Sequence, residues 1–171
     1  MLKNFAAIFA ALIVLTSCSA VEKVSPQEIS SVFGKDFSAK GVLCFDGIEC
    51  EAELKSSEGK MRLSVEKTEN ISDFYAETDG KTIKLGYGEL SADFIYSELP
   101  EKMPLKLFYS AFAELSEPDK ISLSFSEGEI TAFGENFSAV LSSEDFSLIR
   151  MDFPKYGVKF FAEEFAFFEP E

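Results

Sequence analysis

The sequence has no histidine and no tryptophan, and only three cysteines, among its 171 residues. Without an imidazole, a Ser-His-Asp triad, an HExxH zinc site and a histidine general base are all excluded. Positive charge is scarce as well: 16 lysines and arginines stand against 30 aspartates and glutamates, a formal charge of −14. Phosphate backbones and anionic headgroups repel such a surface, so nucleic acid is excluded as a partner and no basic patch can hold the chain to a membrane. The six prolines and ten glycines form no rich stretch that would divide the chain into domains. Long apolar runs are missing too, with one exception.

That exception is residues 5–15, preceded by Lys3 and followed by Leu15-Thr16-Ser17-Cys18. A membrane-spanning helix needs roughly 20 apolar residues, and this run is nearer half that, the length of a signal-peptide core. Leucine three before a cysteine, with a small residue just ahead of it, is the lipobox of bacterial lipoproteins. The expectation is a signal peptide over 1–17, cleavage before Cys18, and a diacylglyceryl thioether on its sulfur. Palmitoyl-type chains at about 0.8 kcal/mol per buried CH₂ would then hold the protein to the cell membrane, facing the extracytoplasmic side. Cleavage would remove Lys3 alone among the charged residues and deepen the acidity by one unit.

Residues 18–24 read as a lipidated tether, and 25–171 as one domain, long enough to bury about two-thirds of its unfolded surface without metal or disulfide staples. Ser25 is placed to cap a helix over Pro26–Phe33, with Pro26 at its first position and Glu28 completing a capping box. Ile29, Val32 and Phe33 share a face, and Gly34 ends the helix. The period then changes to two. Phe37, Ala39, Gly41, Leu43 and Phe45 lead through Asp46-Gly47 to Ile48, Cys50, Ala52 and Leu54, predicting a hairpin that pairs Phe45 with Ile48, Leu43 with Cys50 and Ala39 with Leu54. Met61, Leu63 and Val65 continue the alternation.

Two-residue loops at Asp79-Gly80 and Gly88-Glu89 predict a three-stranded meander. Ala76 should face Ile83, Phe74 should face Leu85, and Leu85 and Ile83 should face Ala92 and Phe94. A helical period returns after Pro100, where Leu105, Phe108, Phe112 and Leu115 share a face between Pro104 and Pro118. Ile121, Leu123 and Phe125, then Ile130 and Ala132, then Phe137, Ala139 and Leu141, predict three further strands. A last pair spans 146–153 and 156–168, and its Phe160, Phe161, Phe165, Phe167 and Phe168 are expected to seal a sheet edge. The fold class is α+β: a single curled antiparallel sheet of about ten strands, a half-barrel wrapped over two helices.

The segments FSAKGVLCFDGIECEAEL (37–54), GKMRLSV (59–65) and DGKTIKLGYGELS (79–91), with the helix introduced by LPEKMPL (99–105), resemble small lipoproteins of Gram-positive bacteria. Those in turn resemble the lipoprotein-localisation carrier fold of the LolA/LolB type, over residues 37–161. The resemblance implies an incomplete barrel with an apolar concave face plugged by helices, which in the carriers receives acyl chains. It carries over no functional residue except the lipidated Cys18. An anchored chain does not shuttle between membranes as soluble carriers do.

Other candidate chemistry reads as architecture. Cys44 and Cys50 invite a disulfide in an exported chain, but hairpin register points Cys50 to the apolar face and Cys44 to the other; only a three-residue loop, out of register with the alternating set, would join them. Ser64 and Lys67 match the SxxK spacing of acyl enzymes, yet on a strand residues three apart face opposite ways. Gly86-Tyr87-Gly88 is a turn with no helix behind it, Glu49, Glu51 and Glu53 read as a solvated strand face, and no DxDxDG calcium loop exists. No catalytic residue, metal or cofactor is expected. What remains is phenylalanine, all but Phe5 and Phe9 lying beyond the signal. Phe74, Leu85, Phe94, Phe108, Phe112, Leu123 and Phe125 are the candidate lining for a lipid or other amphiphile between sheet and helices. The alternative is a filled core in a non-catalytic module that docks a protein partner.

Overall fold

A computed structural model describes residues 24–65 and 73–168. The signal segment, Cys18, the tether up to residue 23, and Lys67 lie outside the described residues. Among the described residues, one antiparallel sheet of eleven strands carries the chain: β1 (Asp36–Phe45), β2 (Ile48–Ser57), β3 (Lys60–Val65), β4 (Phe74–Thr78), β5 (Thr82–Tyr87), β6 (Leu90–Ile95), β7 (Ser122–Ser126), β8 (Glu129–Phe133), β9 (Ser138–Ser142), β10 (Leu148–Phe153) and β11 (Val158–Phe168). Helix α1 (Pro26–Phe33) precedes the sheet, and α2 (Pro104–Leu115) falls between β6 and β7, flanked by short 3₁₀ turns at Tyr96–Glu98 and Pro118–Lys120.

The strand order is β6-β5-β4-β3-β2-β1-β11-β10-β9-β8-β7. Two hairpin meanders therefore fan out from a central β1–β11 pair, and α2 is the link that carries the chain from one edge to the other. The sheet is open and α+β, as expected, with eleven strands. One expectation is corrected: β11 seals no edge, because it pairs with both β1 and β10 in the middle of the sheet. Its Phe160 lies fully buried, while Phe161 and Phe168 are exposed.

Local chemistry sets these elements. The Ser25 hydroxyl accepts from the Glu28 N–H while the Glu28 carboxylate accepts from the Ser25 N–H at 2.6 Å, closing the capping box of α1. Asp46 and Gly47 both take positive φ, 48° and 78°, the geometry of a two-residue hairpin loop. All three predicted β1–β2 pairs follow from it. The β4–β5 register differs from the expectation by two residues: Ala76 faces Leu85, Phe74 faces Tyr87 and Thr78 faces Ile83. The Asp79 carboxylate accepts from the N–H groups of both Lys81 and Thr82, at 2.9 and 2.8 Å, and draws them into a longer loop. A slip of two leaves every side chain on its intended face.

Cross-strand partners define the concave face. One row runs Phe94, Ile83, Thr78, Met61, Ser56, Phe37, Phe167; the next runs Ala92, Leu85, Ala76, Leu63, Leu54, Ala39, Phe165. The buried core lies where the helices cover these rows. Phe37 stacks on Phe112 with ring centres 4.4 Å apart, and Phe108 meets Phe153 and Phe160 edge-on at 5.3 and 5.7 Å.

Candidate functional site

The seven candidate lining residues all belong to the concave face or to the helix that covers it, yet they are spread from the buried interior to both arms of the sheet. Phe108 and Phe112 are sealed inside: Phe108 is fully buried against Phe153 and Phe160, and Phe112 lies among Phe33 and Phe37. Phe112 also borders a crevice of about 310 Å³ between α1, α2 and β3. Leu123 and Phe125 lie on the edge strand β7, where Phe125 is 45% exposed. Phe74, Leu85 and Phe94 lie on the opposite arm.

That second arm is where the sheet outruns its cover. Tyr87 and Leu90 pair across the β5–β6 turn, next to Phe74, on the same face as Leu85, Ala92 and Phe94. Alternation predicts a buried face here, but the residues stand in water: Leu90 is 75% exposed, Tyr87 53% and Phe94 40%. The strip holds a shallow groove of about 230 Å³, walled by Phe74, Leu85, Tyr87, Leu90 and Ala92, with almost no polar surface. Contiguous exposed apolar surface of this kind marks interaction or ligand-binding sites rather than ordinary protein exterior. Tyr87 and Leu90 were missed by sequence reasoning; the alternation in LGYGELSADF would have named them had the span of α2 been known.

Beyond Phe94 the chain turns into Tyr96, which lines a second and larger space. This cleft of about 420 Å³ lies between α2, the β8–β9 turn at Glu135 and Asn136, and the β10–β11 turn at Lys155 and Tyr156. Its floor is apolar, with Leu107, Ala111, Phe137 and Phe153, and its walls are charged, with Lys106, Lys155, Glu101, Glu114 and Glu135. Lys106 is only 8% exposed. Its ammonium donates to the Tyr96 and Leu99 carbonyls at 2.9 and 2.8 Å and lies 4.6 Å from the Tyr96 ring centre. A hydrogen bond to Tyr156, with the charges of Glu101 and Glu135 nearby, raises the pKa of Lys155.

Chemistry that breaks or makes bonds finds little here. Cys44 and Cys50 are separate thiols, and burial raises the pKa of both, away from the reactive thiolate. Ser64 sits on β3 with its hydroxyl accepting from the Arg62 Nε at 3.3 Å. Among the described residues, no three of Cys, Asp and Glu are grouped closely enough to hold a metal ion.

No family model matches the chain, and no curated protein sequence matches it. Among solved structures, the chain is similar to an uncharacterized conserved protein from Thermus thermophilus, with a TM-score of 0.53 and 10% identity over 84% of this chain and 85% of that one. It is also similar to a LolA superfamily protein from Nitrosomonas europaea, with a TM-score of 0.43 and 8% identity over 86% of this chain and 96% of that one. The likeness to the Thermus thermophilus protein is one of fold alone.

Proposed function

We propose that this chain is a non-catalytic lipoprotein, anchored through Cys18 to the extracytoplasmic side of the cell membrane, that binds an acyl chain or another apolar ligand on its concave face. The observation that carries the reading is the strip Phe74, Leu85, Tyr87, Leu90, Ala92 and Phe94, made apolar by the alternation, in which Phe74 and Leu85 are half-buried and Tyr87, Leu90, Ala92 and Phe94 stand exposed. The ligand lies along the β4–β6 arm rather than under α2, because Phe108 and Phe112 already fill that space. Burying even half of such a strip supplies several kcal/mol at about 25 cal/mol per Å². The lipobox supports the anchor, and the membrane it reaches is the natural source of the ligand.

Two measurements test this. Metabolic labelling with an alkynyl palmitate should tag the wild-type chain and leave Cys18→Ala untagged; labelling of both, or of neither, contradicts the anchor. Native mass spectrometry of the purified protein, followed by organic extraction, should release a bound lipid. A second reading, a protein-docking module, is favoured by one observation: the aromatic rings of Phe37, Phe112, Phe108, Phe153 and Phe160 leave the space beneath α2 filled. A ligand-free mass and no uptake of fluorescent fatty acid would favour that module instead.

A further inference from the structure

Past Phe94 the chain runs on to the wall of the charged cleft. Along β6 the concave positions are Leu90, Ala92 and Phe94, and the chain then delivers Tyr96 to the wall of the 420 Å³ cleft. At about 3.4 Å per strand residue the distance from Leu90 to Tyr96 is about 20 Å, the reach of an extended acyl tail. The strip is apolar throughout, whereas the cleft at its end is charged.

Charges of both signs are held there. Lys106 is buried, and an ammonium has three N–H donors, of which two are taken by the Tyr96 and Leu99 carbonyls. It forms no ion pair with any described carboxylate. Those two carbonyls and the Tyr96 ring offset part of the cost of burying this charge and leave one N–H donor over. On the other walls, Glu101 and Glu135 lie close enough to Lys155 for their charges to be felt by it, and Glu114 accepts from the Glu135 N–H at 2.9 Å. Three carboxylates and two ammonium groups suit neither a purely anionic nor an uncharged headgroup.

We infer that the cleft is a headgroup site for a zwitterionic amphiphile, one carrying a phosphate and an amine, whose tail lies along the β4–β6 strip. The phosphate faces Lys106 and Lys155, and the amine faces Glu101 and Glu135. This rests on the apolar-ligand reading above and adds the class of headgroup to it.

The test uses the full chain held in an amphipathic polymer and three amphiphiles with one palmitoyl-length tail: a phosphoethanolamine, a phosphate monoester and a monoglyceride. Binding is read by native mass spectrometry. The phosphoethanolamine should bind about tenfold more tightly than either of the others. Lys155→Ala, a change on an exposed turn, should weaken that amphiphile about five- to tenfold and leave the monoglyceride unchanged, the size expected for one hydrogen bond at an exposed site. Equal binding of all three, unaffected by Lys155→Ala, would overturn the headgroup site and leave the apolar-ligand reading standing. Tighter binding of the phosphate monoester than of the phosphoethanolamine overturns the zwitterion in favour of a simple anion. Binding of none of the three overturns both readings.

Discussion

Gly41 shows how closely the centre of the sheet is packed. The β1–β11 register shifts between Lys40 and Gly41, and a Cβ at Gly41 would lie 1.9 Å from the carbonyl oxygen of Phe161. That neighbour is backbone of the central strand and cannot rotate away. Gly41→Ala should therefore lower stability by about 3 kcal/mol or more, read as a fall in the urea midpoint. Carboxylates act at the same scale. Hydrogen bonds from backbone and hydroxyl groups lower the pKa of Glu28, Asp79 and Asp145, so the folded state prefers their charged forms. Their contribution is present above the ordinary carboxylate range and is lost as pH falls through the lowered folded values. Stability should decline on acidification, and Asp79→Asn, which keeps an accepting oxygen for the turn, should flatten part of that decline in denaturation curves taken across the acid range.

At the level of elements, α2 separates structure from binding. Phe108→Ala removes a ring wedged between Phe153 and Phe160 and should cost about 3–5 kcal/mol, while fatty-acid binding per folded molecule stays unchanged. Leu90→Glu should do the reverse: the side chain is largely exposed, so stability moves by less than about 0.5 kcal/mol, but uptake of a fluorescent fatty acid falls at least about tenfold. Elements were also the most legible part of the sequence. The Ser25-Pro26-Glu28 start placed α1, and the Asp46-Gly47 loop placed the β1–β2 register, because each is decided by a few adjacent residues. The β4–β5 register was not legible, since it turns on one Asp79 side chain drawing Lys81 and Thr82 into the loop. The position of β11 was less legible still: pairing of chain ends is a long-range event with no local signal. Of the seven candidate lining residues, Phe74, Leu85 and Phe94 fall on the strip, while Phe108 and Phe112, placed on one helix face by helical spacing, meet the helix–sheet interior. Alternation names a face; it does not say how far a cover extends.

For the whole molecule, two meanders hinged on β1 and β11 turn the core-forming strand faces to one concave surface, and a 12-residue helix is too short to cover eleven strands. The uncovered remainder lies along an edge, next to a charged cleft, on a protein whose formal charge is −14. The most direct test is the methyl NMR spectrum of the protein with a spin-labelled fatty acid added. Paramagnetic broadening should concentrate on the methyl groups of Leu85, Leu90 and Ala92, with those of Leu54 and Leu141 in the core spared. Broadening centred on Leu123 at the other edge, or none above that of free spin label, would contradict the account.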